Sequence, residues 1–146
     1  MCDIVILVIS LKVISIKEPF ASLIKEGIKK IETRSWKTNY RGDIYIHASL
    51  SMVRVGMKDE RMIKILELLS DYDMMYGKII CKAKLIDCIY MDEAFIEKIK
   101  KNEIEYCCGC YEVGRYAWVL DDIQVLDFPI VAKGKLGIWN YEGLDD

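Results

Sequence analysis

Apolar and polar residues alternate with a period that changes several times along the chain. Residues 2–16 are dominated by β-branched side chains and read as one strand or two short ones, followed by an approach loop from Ser15 to Pro19. Pro19 sits in the first turn of a helical run, FASLIKE, which Gly27 stops. After Gly27 the period shortens to two. Ile31 and Thr33 then fall on one side, and Lys30, Glu32, Arg34 and Trp36 on the other. KTNYRGD reads as a turn or loop carrying Asn39 and Gly42. In the next strand, IYIHA, one face holds Ile44, Ile46 and Ala48 and the other holds Tyr45 and His47. The best amphipathic helix covers residues 59–76, with Asp59 as N-cap and Met62, Leu66 and Leu69 on its stripe. Gly77 ends it, and KIICKAKLIDCIYM reads as a long strand. Asp92 caps a shorter helix, EAFIEKIKK, and residues 102–114 read as an irregular excursion. RYAWVLDDIQVLDFP and VAKGKLGIWNYE supply the last strands, the first placing Tyr116, Trp118 and Leu120 together on a core face.

These elements add up to an α+β chain of five to seven strands with about three helices inserted between them. One mixed or antiparallel sheet dominates it. Sheets of this size tend to curl and close, which removes exposed edges, so a small barrel is expected. No internal repeat, low-complexity tract or linker divides the sequence, and a single domain over 1–146 is the simplest reading. With 53% hydrophobic and 30% charged residues, the composition is that of a globule and not of a disordered or fibrous chain. The apolar opening lacks a basic n-region and is too short to span a bilayer, so a cytoplasmic location and no membrane partner are expected.

The net charge of −2 advertises no global basic field. Its distribution says more, because Lys25, Lys29, Lys30, Arg34, Lys37 and Arg41 face only Glu26 and Glu32 within residues 25–41. A basic patch on an acidic body fits an anionic ligand. The six cysteines come without an export signal, so reduced thiols are expected. YCCGCY lacks the two separated ligand pairs of a structural zinc site; loop thiols are the reading, with no metal and no cofactor.

The stretch SIKEPFASLIKEGIKKIETRSWKTNYRGDIYIHAS resembles the N-terminal signature of ASCH domains, the activating-signal-cointegrator homology family of the PUA-like barrels. Ser15, Ile16, Lys17, Pro19, Phe20 and Ala21 match its start. Gly27, Lys29, Glu32, Arg34, Ser35 and Trp36 match its central run, and Arg41, Gly42, Ile46, His47 and Ala48 its continuation. GKIICKAKLIDC, GRYAWVLDD and GKLGIWNY are similar to its remaining strands, so the resemblance covers about residues 12–141. Two departures, Glu18 in place of glutamine and Lys30 in place of a small hydroxylated residue, change charge near the presumed cleft. The resemblance implies a PUA-like β-barrel with a cleft beside the Gly-x-Lys-x-x-Glu-x-Arg strand and recognition of RNA or another nucleic acid. It also implies an alternative, since some small members are similar to hydrolases that deacylate a modified cytidine or cleave RNA. Lys29 matches the lysine of the deacylating group, whereas Glu32 replaces its threonine.

The candidate site therefore comprises Lys17, Lys29, Glu32, Arg34, Ser35, Trp36, Lys37, Tyr40, Arg41 and His47. An acid between two cations can hydrogen-bond a base edge or orient water. Trp36 can stack on a base, with Lys17, Lys37 and Arg41 contacting phosphates. The bland alternatives are a surface ion pair for Glu32 and Arg34, and a barrel-end plug for Trp36. His47, the only histidine, can be a base or a hydrogen-bonded structural residue. Ser15 and Ser49 show no base partner. The expected partner is RNA or a nucleotide-like anion; Lys29 and Glu32 are the catalytic candidates of the hydrolase reading.

Overall fold

A computed structural model describes residues 8–52, 60–69 and 74–144. In chain order these form β1 (Val8–Glu18), α1 (Phe20–Lys25), β2 (Ile31–Arg34), β3 (Gly42–Met52), α2 (Glu60–Glu67), β4 (Lys78–Tyr90), α3 (Glu93–Lys100), α4 (Glu103–Cys107), β5 (Tyr116–Val131) and β6 (Ile138–Leu144). The strands make one mixed sheet in the order β2-β5-β4-β3-β1-β6, antiparallel except for the β1–β3 pair.

The α+β reading holds, but the closed barrel does not. Among the described residues β2 and β6 are the two edges of the sheet and do not pair with each other. Register shifts at Ile79/Cys81, Lys82/Lys84 and Leu85/Asp87 interrupt the β4–β5 ladder, and each such bulge bends the strands and adds twist. Curling is thus present, yet the four-residue β2 stops short of β1. The seam between them is bridged by one side chain: Arg34 Nη2 donates to the Ser15 carbonyl at 2.8 Å.

Local chemistry explains the elements that frame this seam. Ser15 to Glu18, read above as loop, continues β1. Glu18, fully buried, accepts the Ser22 amide at 2.8 Å and the Ser22 hydroxyl at 2.6 Å, which satisfies donors of the first turn of α1. It also accepts the Met75 amide at 2.9 Å. The charge change at Glu18 therefore falls inside the fold rather than at the cleft. Gly27, at φ +76°, lets the chain turn back so that the Ile28 and Lys29 amides meet the Leu23 carbonyl at 3.0 and 3.1 Å. Asp92 caps α3 through the Phe95 amide at 2.8 Å, as its position predicts.

Part of the excursion 102–114 is helical. Asn102 accepts the Glu105 amide at 3.2 Å and caps α4, an Asn-x-x-Glu pattern that was readable as a helix start. The described helix within 59–76 covers Glu60–Glu67, and its buried contact is Ile65, against Leu23 and Cys108, one position from the predicted stripe. Asp59, the Met62 side chain and residues 1–7 lie outside the description.

The main core packs Ile14, Ile16, Ile44, Ile46, Ala48, Ile80, Trp118 and Leu120 with Ala21 and Ile24 of α1. A second cluster of Val13, Ile79 and Trp139 covers the other face, so both faces of β3 are buried. No described helix is long and apolar enough to cross a membrane.

Candidate functional site

The seam opens into a half-enclosed cavity of about 830 Å³. Its walls come from β1 (Ser15, Lys17), β2 and its exit (Glu32, Arg34, Ser35, Trp36), and a loop between β5 and β6 (Lys133, Gly134, Lys135, Leu136). Arg115 and His47 complete the lining that matters for chemistry. Alternation along β2 is what aims Glu32 and Arg34 to one side. Lys17, Arg34, Arg115, Lys133 and Lys135 share this cavity with one carboxylate, Glu32; Arg115 is held there by the Cys110 and Thr33 carbonyls at 3.1 and 3.4 Å.

Glu32 is nearly buried. Its Oε2 accepts Arg34 Nη2 at 2.9 Å, and its Oε1 accepts the Thr33 amide at 3.2 Å. Lys29 stands behind it with Nζ 3.7 Å from Oε1. Lys29 is completely buried and does not line the cavity. Its Nζ donates to the carbonyls of Ile31 (2.5 Å) and Cys108, and lies 4.8 Å from the centre of the Phe20 ring. Its place is structural support beneath Glu32 rather than contact with a phosphate. The catalytic role raised for it in the hydrolase reading meets the same obstacle, since the end of α4 and Phe20 cover it.

Trp36 is 38% exposed, its ring set edge-on to Trp118 with centroids 4.7 Å apart. Trp118 Nε1 donates to the Trp36 carbonyl at 3.3 Å, so the buried indole holds the exposed one. Lys37, Tyr40 and Arg41 do not line the cavity. The Tyr40 hydroxyl donates to the Asp43 carbonyl at 2.5 Å, and Arg41 Nη1 to the Thr38 and Tyr40 carbonyls at 3.0 and 2.8 Å. Both shape the loop between β2 and β3. Lys37 is exposed beyond the cavity.

His47 joins a chain that sequence spacing did not reveal. Its Nε2 donates to the Ala132 carbonyl at 2.7 Å, which leaves Nδ1 of the neutral ring to accept the Ser15 hydroxyl at 3.0 Å. Trp139 Nε1 donates to the same Ser15 Oγ at 3.0 Å. Ser15 thus has the partner it lacked on paper, 32 residues away. The chain pins the start of the Lys133–Leu136 loop to the sheet. Gly134 presses on it so closely that a Cβ there would lie 2.9 Å from His47 Cε1 and Ser15 Oγ. Gly134→Ala is therefore expected to displace the loop and cost about 1–3 kcal/mol, as overpacking does. Urea unfolding and the indole fluorescence of Trp139 would read this, and an unchanged midpoint would contradict it.

The cysteine cluster also finds its use. A Cβ on Gly109 would lie 2.9 Å from Thr33 Cγ2, so the glycine in CCGC lets this segment lie against β2. The Cys110 amide donates to Thr33 Oγ1 at 3.0 Å. No group of metal-ligating side chains occurs among the described residues. Burial pushes the Cys81 thiol up to about 12, which makes it inert.

Glu105 closes the site from behind. Its Oε1 accepts the Lys30 amide at 2.7 Å, while Oε2 and the nearby buried Tyr111 hydroxyl have no hydrogen-bond partner among the described residues. Burial raises the Glu105 pKa, opposed by the charge of Lys29 and the Lys30 amide. A carboxyl whose pKa is raised by folding stabilises the fold fully below its unfolded value, about 4.3, and loses that contribution as pH rises. The stability of wild type relative to Glu105→Gln is thus expected to fall as pH rises above about 4.3. Urea titrations from that pH upward check it; a constant difference would refute it.

Comparison with known proteins gives the site a context. A family model described as ASCH domain matches residues 14–129. The chain is 35% identical to human (Homo sapiens) Activating signal cointegrator 1, over 88% of this chain and 22% of that protein. It is 26% identical to the mouse (Mus musculus) protein of the same name, over the same shares. It thus spans about a fifth of the length of these curated relatives.

Proposed function

The chain belongs to the ASCH domain family, and from that premise we propose that its seam cavity binds single-stranded RNA or an RNA-derived nucleotide. The observation that carries the reading is the convergence of Lys17, Arg34, Arg115, Lys133 and Lys135 on one half-enclosed cavity of a chain whose net charge is −2. Such a field attracts and holds a phosphate backbone. Trp36, half out of the fold, offers the flat surface on which a base stacks for about 1–3 kcal/mol. Arg34 is held by Nη2 and has Nη1 and Nε left to meet a ligand.

The test is the salt dependence of binding to a labelled single-stranded RNA. Each neutralised phosphate contributes about −0.7 to the slope of log Kobs against log salt, so three to five contacts give between about −2 and −3.5. A slope near zero would remove the reading.

The hydrogen-bonded Ser15–His47 pair supports a second reading, hydrolysis of an acylated nucleoside in the same cavity. Ser15 Oγ would take the acyl group as its proton passes to His47 Nδ1, which returns it to the leaving group; water would then release the acid. The Trp139 donor on Ser15 Oγ weighs against it, because it draws electron density from the nucleophile. Turnover of acylated nucleosides that is abolished by Ser15→Ala would establish hydrolysis; no turnover would leave binding alone.

A further inference from the structure

Resting on the RNA-binding reading, we infer that the Glu32–Arg34 pair selects guanine as the base held in the cavity. The inference comes from the hydrogen-bonding sites that the pair leaves open. A carboxylate oxygen accepts two hydrogen bonds. Oε1 of Glu32 holds one, from the Thr33 amide at 3.2 Å, with Lys29 Nζ at 3.7 Å, beyond hydrogen-bond distance, and Oε2 holds one, from Arg34 Nη2 at 2.9 Å. Each oxygen retains one accepting site, and Glu32 lines the cavity. Two adjacent acceptors ask for two parallel N–H donors.

Only one RNA base has them on its Watson–Crick edge. Guanine presents N1–H beside N2–H. Uracil presents a single N–H between two carbonyls, one of which would face a carboxylate oxygen. Adenine and cytosine set their amino group beside a ring nitrogen whose lone pair would do the same. A protein that leaves a buried acceptor unpaired rejects the ligand that fails to fill it.

Arg34 extends the match by one position. Its Nη2 is committed to the Ser15 carbonyl at 2.8 Å and to Glu32, but the guanidinium has further N–H groups on Nη1 and Nε. Along the guanine edge the order is N2–H, N1–H, O6. The Nη2 bond to Oε2 sets the guanidinium next to that oxygen, so the matching order on the protein is Oε1, Oε2, guanidinium. Donors meet acceptors in sequence. Adenine would set its 6-amino donors against the guanidinium donors. Trp36, two residues along the same strand direction and held by Trp118 at 4.7 Å, stacks on any base and so adds affinity without choosing.

The experiment measures affinities for four oligouridines that carry G, A, C or U at one central position, at fixed salt. Wild type is expected to favour the G oligomer by about tenfold to a hundredfold, the range for one bidentate base contact. Glu32→Gln, which turns one acceptor into a donor, should bring the four within about threefold of one another, well inside that range. A second arm needs no variant: inosine in place of guanosine removes only the N2 amino group and should cost wild type about tenfold. Equal binding of all four oligomers overturns guanine selection while leaving RNA binding intact. Preference for another base, full tolerance of inosine, or a guanine preference that survives Glu32→Gln overturns it too. Binding of none of them sinks the RNA reading itself.

Discussion

Replacing Lys17, Lys133 and Lys135 together by alanine is expected to lower the affinity for single-stranded RNA about a hundredfold at 0.1 M salt. Each side chain lines the cavity, is exposed, and forms no ion pair among the described residues. Removing them therefore removes charge and little else. A phosphate contact on a single strand displaces about 0.7 of a counterion, worth about fivefold per contact at 0.1 M relative to 1 M salt, and three contacts multiply to about a hundredfold. The salt slope should flatten by about 2 units at the same time, because the loss is a loss of ion release. The urea midpoint should stay where it was, since surface charges of this kind contribute under about 1 kcal/mol. An affinity loss without a change in slope would show that the lysines act through loop shape instead. No loss at all would move the RNA away from this cavity.

The second large effect concerns stability. Lys29→Ala is expected to cost about 3–5 kcal/mol, the range for breaking a buried charged pair by removing one partner. Lys29 is fully enclosed, and its Nζ serves the Ile31 and Cys108 carbonyls as well as Glu32. Its loss takes a donor from two carbonyls and leaves a nearly buried carboxylate with Arg34 as an ion-pair partner. With total stabilities of about 5–15 kcal/mol for ordinary domains, this variant stands close to unfolding at 37 °C. Lys29→Met combined with Glu32→Gln should recover part of the loss, because both charges leave together. Urea denaturation of the two variants measures this. A cost below about 1 kcal/mol for Lys29→Ala, the range for an exposed pair, would mean that Lys29 reaches water.

The sequence was most legible where structure is local. The period of two after Gly27 placed Glu32, Arg34 and Trp36 on one side; all three line the cavity, but so do Thr33, assigned to the other side, and Ser35. Gly27, Asp92 and the apolar face of Ile44, Ile46 and Ala48 were readable for the same reason, since a turn, a cap and a pleat each act within a few residues. Nonlocal facts were not readable. Lys29 differs from its exposed neighbour Lys30 through Phe20 and the end of α4, the latter arriving from more than seventy residues away to cover it. Tyr40 and Arg41 carry the right chemistry but turn it onto their own loop. Lys133, Lys135 and Arg115 read as parts of late strands, although Lys-Gly-Lys-Leu-Gly has the composition of a basic loop. Their relation to Arg34 depends on strand order, which no local pattern encodes. The barrel expectation failed for a related reason: curvature is legible in bulge-prone long strands, but closure depends on the length of the final edge.

That short edge has a consequence for solubility. A sheet that ends in open backbone groups invites strands from other molecules to dock and propagate into aggregates. Of the two borders, the one formed by β2 is only four residues long, has its Ile31 and Thr33 carbonyls taken by Lys29 and Arg115, and carries Glu32 and Arg34 beside it. A visiting strand would find too few rungs to climb and would have to strip water from charged groups to use them. The same gap that leaves room for a ligand is thereby poorly suited to recruiting another copy of the chain.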